Sequence, residues 1–312
     1  MDHRLASDEL VLRKNLPTLG IGRRELAKAE KGRELVKIRR GVWVAKRPLS
    51  VRERHQQDVR AALAGRADGA VVSHLSAAAF HGLPLPSKLD TVWLTRPGRR
   101  GGGHHRSGIQ VVRAPLQVSE WGWQEDLKVT TMDRTTIDIA RNESFVMGVM
   151  VADAALRGGC TPGQLRAALE RARRWPGMAK ARQVVDFADA RSESPYESWM
   201  RVLLSELDLG ELTPQLVIND EHGNFVARVD AALEDRKVAF EYDGEAKYDE
   251  LLQPGQRPQD AFRAEKERDR KLNRLGWWTC HYSKLDVHDR SRFRRVTFEA
   301  LENARKLQGS GR

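Results

Sequence analysis

Residues 225 to 248, FVARVDAALEDRKVAFEYDGEAKY, constrain the fold of this 312-residue chain more than any other stretch. Phe225, Ala227, Val229, Ala231 and Leu233 recur at period two, which places them on one face of a strand. Val238, Phe240 and Tyr242 continue that face in the next strand, and Asp230, Glu241 and Asp243 fall on the other. An even-length reversal centred on Glu234-Asp235-Arg236-Lys237 pairs Leu233 with Val238. Counting outward from there sets Asp230 opposite Glu241. The turn carries no Asn-Gly or Asp-Gly, so matching of apolar side chains must set the register.

Two carboxylates facing each other repel by roughly 4 kcal/mol at about 4 Å and an effective dielectric near 20. A divalent cation removes that cost, and Mg²⁺ or Mn²⁺ takes carboxylate oxygens and water as ligands. Asp230 and Glu241 are therefore candidate metal ligands. Lys247 follows Gly244 closely enough to hold an attacking water or neutralise a phosphoryl group, and Asp243 is an auxiliary acid. The same spacing also describes a polar hairpin whose acids stay hydrated.

Two flanking segments bear on the same site. Ser194-Pro195 with Glu197 three residues after the serine is a capping box, opening a helix with Trp199, Val202, Leu203 and Leu207 on its buried stripe. Downstream, Ala261, Glu265, Asp269 and Leu272 share one side of a helix that stops at Gly276. An intrahelically paired, solvated face is the plain reading of its other charges, Lys266 included. Trp278, Cys280 and Tyr282 alternate with Trp277, Thr279 and His281 in a closing core strand.

These strings resemble the PD-(D/E)xK nuclease superfamily, in particular its small branch related to very-short-patch-repair (Vsr) endonucleases. The resemblance is carried by Asp230, Glu241-Tyr-Asp243-Gly and Lys247, with SESPYESWMRVLLSEL before and AEKERDRKLNRLGWW after, and it covers residues 191 to 300. It implies a metal-dependent nuclease core and a second use for Glu197, reaching the metal site from the first helix. Glu265 and Lys266 match the family's glutamate-lysine pair, and Lys266 is a candidate nucleic-acid contact.

The net charge of +11 is concentrated: residues 1 to 60 hold sixteen Lys/Arg against eight Asp/Glu. Such clustering attracts phosphate backbones without sequence preference, and it also serves solubility. Within it, ELVKIRRGVWVAKR reads as a hairpin tipped by Arg39 and Arg40, candidate nucleic-acid contacts, after a short helix in IGRRELAKAEKG. Helix then basic hairpin suggests a winged helix, and the string resembles the N-terminal domain of AbiEi-type antitoxins, as SHLSAAAFHGL resembles their middle segment. The stretch before Val36 is short for the full helical set, so a simple capping subdomain fits it as well.

From Ser50 to about Ala190 the chain reads as mixed α/β. Charged and buried helices come first, then strands in DTVWLTRP and SGIQVVRAPL around a GRRGGGHHRSG loop, then helices in TTIDIARN, FVMGVMVADAALRGG and TPGQLRAALERARR. His74, His81, His104 and His105 lack metal-site spacing, and Cys160 and Cys280 read as buried thiols.

The expected architecture is α/β: a basic winged-helix-like domain (1–50), a mixed α/β AbiEi-like middle (51–190), and a restriction-endonuclease-like mixed sheet flanked by helices (191–312). The expected activity is Mg²⁺-dependent hydrolysis of DNA phosphodiesters, the partner DNA, with a homodimer or partner protein open. No run of 18 apolar residues and no signal-peptide core occur, so the expected setting is cytoplasmic, away from membranes. Two other readings stand beside it: a non-catalytic antitoxin-like repressor, and a phage-defence component that needs a partner chain.

Overall fold

The basic hairpin of the first fifth forms where the alternation puts it. The computed structural model describes residues 10–64, 69–99, 101, 103–244 and 258–309, with side chains in the last span from Arg263 onward. β1 (Val11–Leu12), α1 (Arg23–Lys31), β2 (Leu35–Arg39) and β3 (Val42–Ala45) make a three-stranded antiparallel sheet, ordered β1-β3-β2, with a helix against it. The reversal after Arg39 needs Gly41 at φ +77°, a backbone region costly for side chains with a Cβ. Val11, Ala29, Leu35 and Trp43 fill its small core.

A larger sheet follows in the same compact unit, which comprises Met1–Asn142 and Gly163–Pro176. Its elements are α2 (Val51–Leu63), β4 (Val71–Val72), α3 (His74–Phe80), β5 (Val92–Pro97), β6 (His104–Arg106), β7 (Ile109–Ala114), β8 (Trp121–Gln124), β9 (Leu127–Thr130) and α4 (Met132–Asn142). The six strands lie in the order β6-β7-β5-β4-β9-β8, with β5–β7 and β4–β9 parallel and the rest antiparallel. Two features depart from the sequence reading. His104–Arg106, expected within a loop, extends as an edge strand on β7, and SEWGWQEDLKVTT supplies the unforeseen β8–β9 hairpin.

Under this sheet sits a buried polar knot. His74, 3% exposed and with φ +53°, stacks on Trp93 at 4.8 Å between ring centroids. Asp138, wholly buried, accepts from Arg134 Nε at 2.8 Å and Arg141 Nε at 3.0 Å and stands 3.9 Å from His74 Nε2. Nearby, His81 Nε2 meets Thr130 O at 2.6 Å.

The chain then alternates between units: α5 (Phe145–Arg157) lies in the second, α6 (Pro162–Arg171) in the first, and α7 (Met178–Phe187) in the second again. The second unit spans Glu143–Pro162 and Gly177–Arg312, and within it α5 packs against α7 and against α8 (Pro195–Ser205). A buried ion pair, Arg201 to Asp153 at 2.7 Å, ties α5 to α8.

After α8 come β10 (Thr213–Asn219), β11 (Phe225–Leu233), β12 (Val238–Tyr242), α9 (Pro258–Arg274), β13 (Trp278–Tyr282), α10 (Lys284–His288) and α11 (Arg290–Gly309). The sheet is mixed and ordered β10-β11-β12-β13: its first three strands run antiparallel, and β13 lies parallel to β12. Leu233 pairs with Val238, Ala232 with Ala239 and Ala231 with Phe240, the register expected from apolar matching. The turn uses a 3-10 stretch over Glu234–Arg236 and Lys237 in the left-handed region, φ +48°.

Both faces of this sheet are covered. Ala231, Leu233, Val238, Phe240, Cys280 and Tyr282 pack with α8 and α11, whereas Ala227, Val229, Ala232 and Ala239 pack with Leu272 of α9. The single apolar face expected along Phe225–Leu233 is thus corrected: odd-numbered residues change sides at Asp230. Opposite Asp230, between the pairs Pro214–Ala231 and Leu216–Val229, stands Gln215 with φ +52°, and that local distortion shifts the alternation. Leu272 is fully buried, worth about 1.5–3 kcal/mol of apolar transfer, and fixes α9 over the sheet. Among the described residues no helix is long and apolar enough to cross a membrane.

Candidate functional site

The parallel pairing of β12 and β13 sets Glu241 beside His281. One residue on, Asp243 N donates to Tyr282 O at 2.8 Å, which carries the Asp243 side chain to the same sheet end. Helical spacing on α9 then turns Glu265, Arg268 and Asp269 toward that end, because residues three and four apart share a helix face. One ligand atom from each of Glu241, Asp243, Glu265 and His281 lies within 4.8 Å of the others.

His281 is held between two acids, its Nδ1 2.9 Å from Asp243 Oδ2 and its Nε2 3.2 Å from Asp269 Oδ2. Burial opposes charging the ring, but the hydrogen bonds to Asp243 and Asp269 outweigh it, and the pKa is pushed up to about 10. Glu241 is only 3% exposed and accepts from Arg268 Nη2 at 2.5 Å, while the same guanidinium stands 4.0 Å from Glu265. Four carboxylates thus face one arginine and one imidazolium.

Asp230 and Glu197 lie close enough for the charge of Asp230 to act on Glu197. Asp230 Oδ2 accepts from Tyr242 N at 2.9 Å, so a side chain takes up the strand amide just beyond the last Ala231–Phe240 pair. Asp230 is absent from the four-residue set around His281. Glu197 N donates to Ser194 Oγ at 3.1 Å, as a cap requires. Its own carboxylate accepts from Glu193 N at 2.7 Å and Gln215 Nε2 at 3.0 Å, so the return bond of the expected box goes to Glu193 instead of Ser194. Burial, and then the neighbouring Asp230 charge, raise the Glu197 pKa above the usual carboxylate range.

The remaining sequence candidates divide. Lys247 lies outside the described residues. Arg39 is committed within the fold, donating to Asp58 Oδ2 at 2.7 Å and to Ser107 O at 2.9 Å, which leaves its guanidinium little freedom for a phosphate. Arg40 and Lys266 are exposed. Sequence reasoning had placed Glu265 and Asp269 on one helix face, as found, but gave no site role to His281 or Arg268. Alternation held the signal for His281, since it sits on the strand face opposite Cys280 and Tyr282. The three carboxylates fit a hard divalent ion, and His281 joins them as a ligand only by exchanging the proton that its raised pKa holds for the cation.

No family model matches the sequence. Two uncharacterized Mycobacterium tuberculosis proteins, MT2308 and Rv2248, are each 32% identical to it over 145 residues, 46% of this chain and 50% of theirs. The chain thus spans about half the length of the curated relatives it matches. The crystal structure of the RV2827C protein from the same organism aligns with 66% of this chain and 78% of its own at 17% identity and a TM-score of 0.40.

Proposed function

We propose that the C-terminal unit is a metal-dependent endonuclease acting on DNA, with Glu241, Asp243, Glu265 and His281 as the residues that hold a divalent cation. The observation that carries this reading is the convergence of those four side chains, from two strands and a helix distant in sequence, within 4.8 Å. The mixed sheet, with α8 ahead of the antiparallel strands and α9 crossing to the parallel one, supports the restriction-endonuclease-like reading of the fold. When bound, Mg²⁺ or Mn²⁺ supplies Lewis-acid stabilisation of charge developing on a phosphoryl group. Asp230 keeps the end of β12 in place through Tyr242 N, which orients Glu241 one residue earlier. Glu197, with its raised pKa, is suited to holding a proton beside that strand end. Lys247 keeps its role as a charge-stabilising cation.

The test is incubation with supercoiled, linear and single-stranded DNA and with RNA, with Mg²⁺ or Mn²⁺ added. Cleavage should fall by about 10²-fold or more in Glu241→Gln, and Asp230→Ala should also lose it while remaining folded. If Glu241→Gln cuts as fast as the parent, the site is misassigned.

One observation favours a second reading, a DNA-binding regulator that uses this unit as a scaffold. Arg268 and the His281 imidazolium already offset part of the acidic charge, which is what a purely structural cluster requires. Protection of specific DNA without any metal-dependent cutting would select that reading.

A further inference from the structure

The small N-terminal sheet and α1 enclose a cleft of about 800 Å³. Small-molecule sites run from about 300 to 1,000 Å³. One wall is a single stripe of α1, formed by Arg23, Leu26, Ala27 and Glu30 at successive one-turn spacings. Facing it are Arg13, Lys37, Arg40 and Trp43.

Four cations and one acid therefore line the cleft, and the acid is already engaged: Glu30 Oε1 accepts from Trp43 Nε1 at 2.7 Å. Among the described residues Arg13, Arg23 and Arg40 have no ion pair and no side-chain hydrogen bond, and Lys37 only stands over the Trp43 ring at 5.9 Å. The contrast with neighbouring Arg39, tied to Asp58 and Ser107, shows that this is not simply how the hairpin treats arginine. Uncompensated cations converging on a concave surface concentrate positive potential there. Guanidinium forks match phosphate oxygens in geometry as well as charge. The apolar part of the cleft is different: Ile21 and Leu26, both half-buried, offer surface that a bare phosphate or sulfate leaves uncovered. A fitting ligand joins an anionic head to a flat, weakly polar body.

We propose that this cleft binds a phosphorylated nucleoside, with its phosphate between Arg13 and Arg40 and its base against Ile21 and Leu26. The nucleoside phosphate is either a free nucleotide or one unpaired unit of a strand, and the site is independent of the metal-centre reading.

Calorimetric titration of the full chain with adenosine 5′-monophosphate, adenosine, inorganic phosphate and a single-stranded deoxyoligonucleotide tests this. Adenosine monophosphate should bind about tenfold or more tightly than either adenosine or phosphate, because only it meets both walls. The double variant Arg13→Glu/Arg40→Glu should lose that binding by about tenfold or more, and Arg106→Glu, exposed on β6 outside the cleft, should not. Oligonucleotide binding that is much tighter and equally sensitive to the double variant assigns the unit to a strand, whereas equal affinities assign it to the free nucleotide. The proposal is overturned if neither nucleotide nor oligonucleotide binds, or if the double variant, shown folded by its melting curve, binds both as well as the parent does.

Discussion

Two histidines, one in each unit, sit among acids and arginines and are driven in opposite directions. His74 is pushed down to about 4 and His281 up to about 10. His74 is buried and His281 half-buried, yet desolvation lowers the pKa of both, so burial alone does not give the opposite signs. The difference lies in how far the neighbouring carboxylates are already neutralised. Asp138, the acid near His74, is bonded by both Arg134 and Arg141, and at 3.9 Å it is too far to hydrogen-bond the ring. Desolvation therefore dominates at His74, and the two guanidinium charges reinforce it. His281 touches two carboxylates directly, and the one nearby arginine is turned toward Glu241 instead. An acid satisfied by arginine leaves its histidine neutral, whereas acids left to a histidine charge it.

The largest effect expected from breaking this contrast comes at the saturated acid. Asp138→Ala removes the acid shared by Arg134 and Arg141 in the interior of the first unit, leaving Arg134 paired with Glu120 at 3.3 Å, and should cost about 3–5 kcal/mol in urea denaturation. A loss under about 1 kcal/mol would show that the knot is not held by charge pairing.

Next in size are two pH limbs of opposite sign. His74 is lower in the folded state than its ordinary value of 6.5, so the unfolded chain binds the extra proton, and stability falls as pH drops from about 6.5 through 4. His281 is raised, so its contribution is complete below about 6.5 and is lost as pH rises through about 10. Melting curves across this span should lose their acid limb in His74→Gln and flatten on the alkaline side in His281→Gln. Identical profiles in parent and variants would dissolve the comparison.

The smallest effect belongs to the unsaturated cluster. Arg268 is 29% exposed in its side chain, unlike Arg134 at 2%, so Arg268→Met should cost only about 1–2 kcal/mol without divalent ion. Added Mn²⁺ should restore more stability in this variant than in the parent, since a cation binding only the folded state stabilises it. Equal gains would separate Arg268 from cation binding.

How much of this was legible in the sequence depends on the range of each contact. The Leu233–Val238 register was readable because both partners lie a few residues from their turn and apolar alternation leaves one solution. The helix cap at Ser194 was readable for the same local reason. The switch of faces at Asp230 was not, because it depends on Gln215 adopting φ +52° across the ladder, and glutamine carries no signal for that conformation. Nor was the meeting of Glu241 with His281, since a parallel pair joins residues forty apart through a helix, and alternation says which face a residue takes but not which strand lies beside it. Strand β8 was missed because Trp121, Gly122 and Trp123 sit on an exposed edge where hydrophobic periodicity is weak.

The contact from Asp230 to the Tyr242 amide also makes the backbone an observer of a side chain. A main-chain carbonyl is fixed by the ladder, whereas a side-chain carboxylate can swing away and leave that amide without its acceptor. Deuterium uptake at Tyr242 should consequently report where the Asp230 carboxylate lies, and any ligand that draws it away should accelerate exchange at this one amide while Phe240, inside the ladder, stays protected.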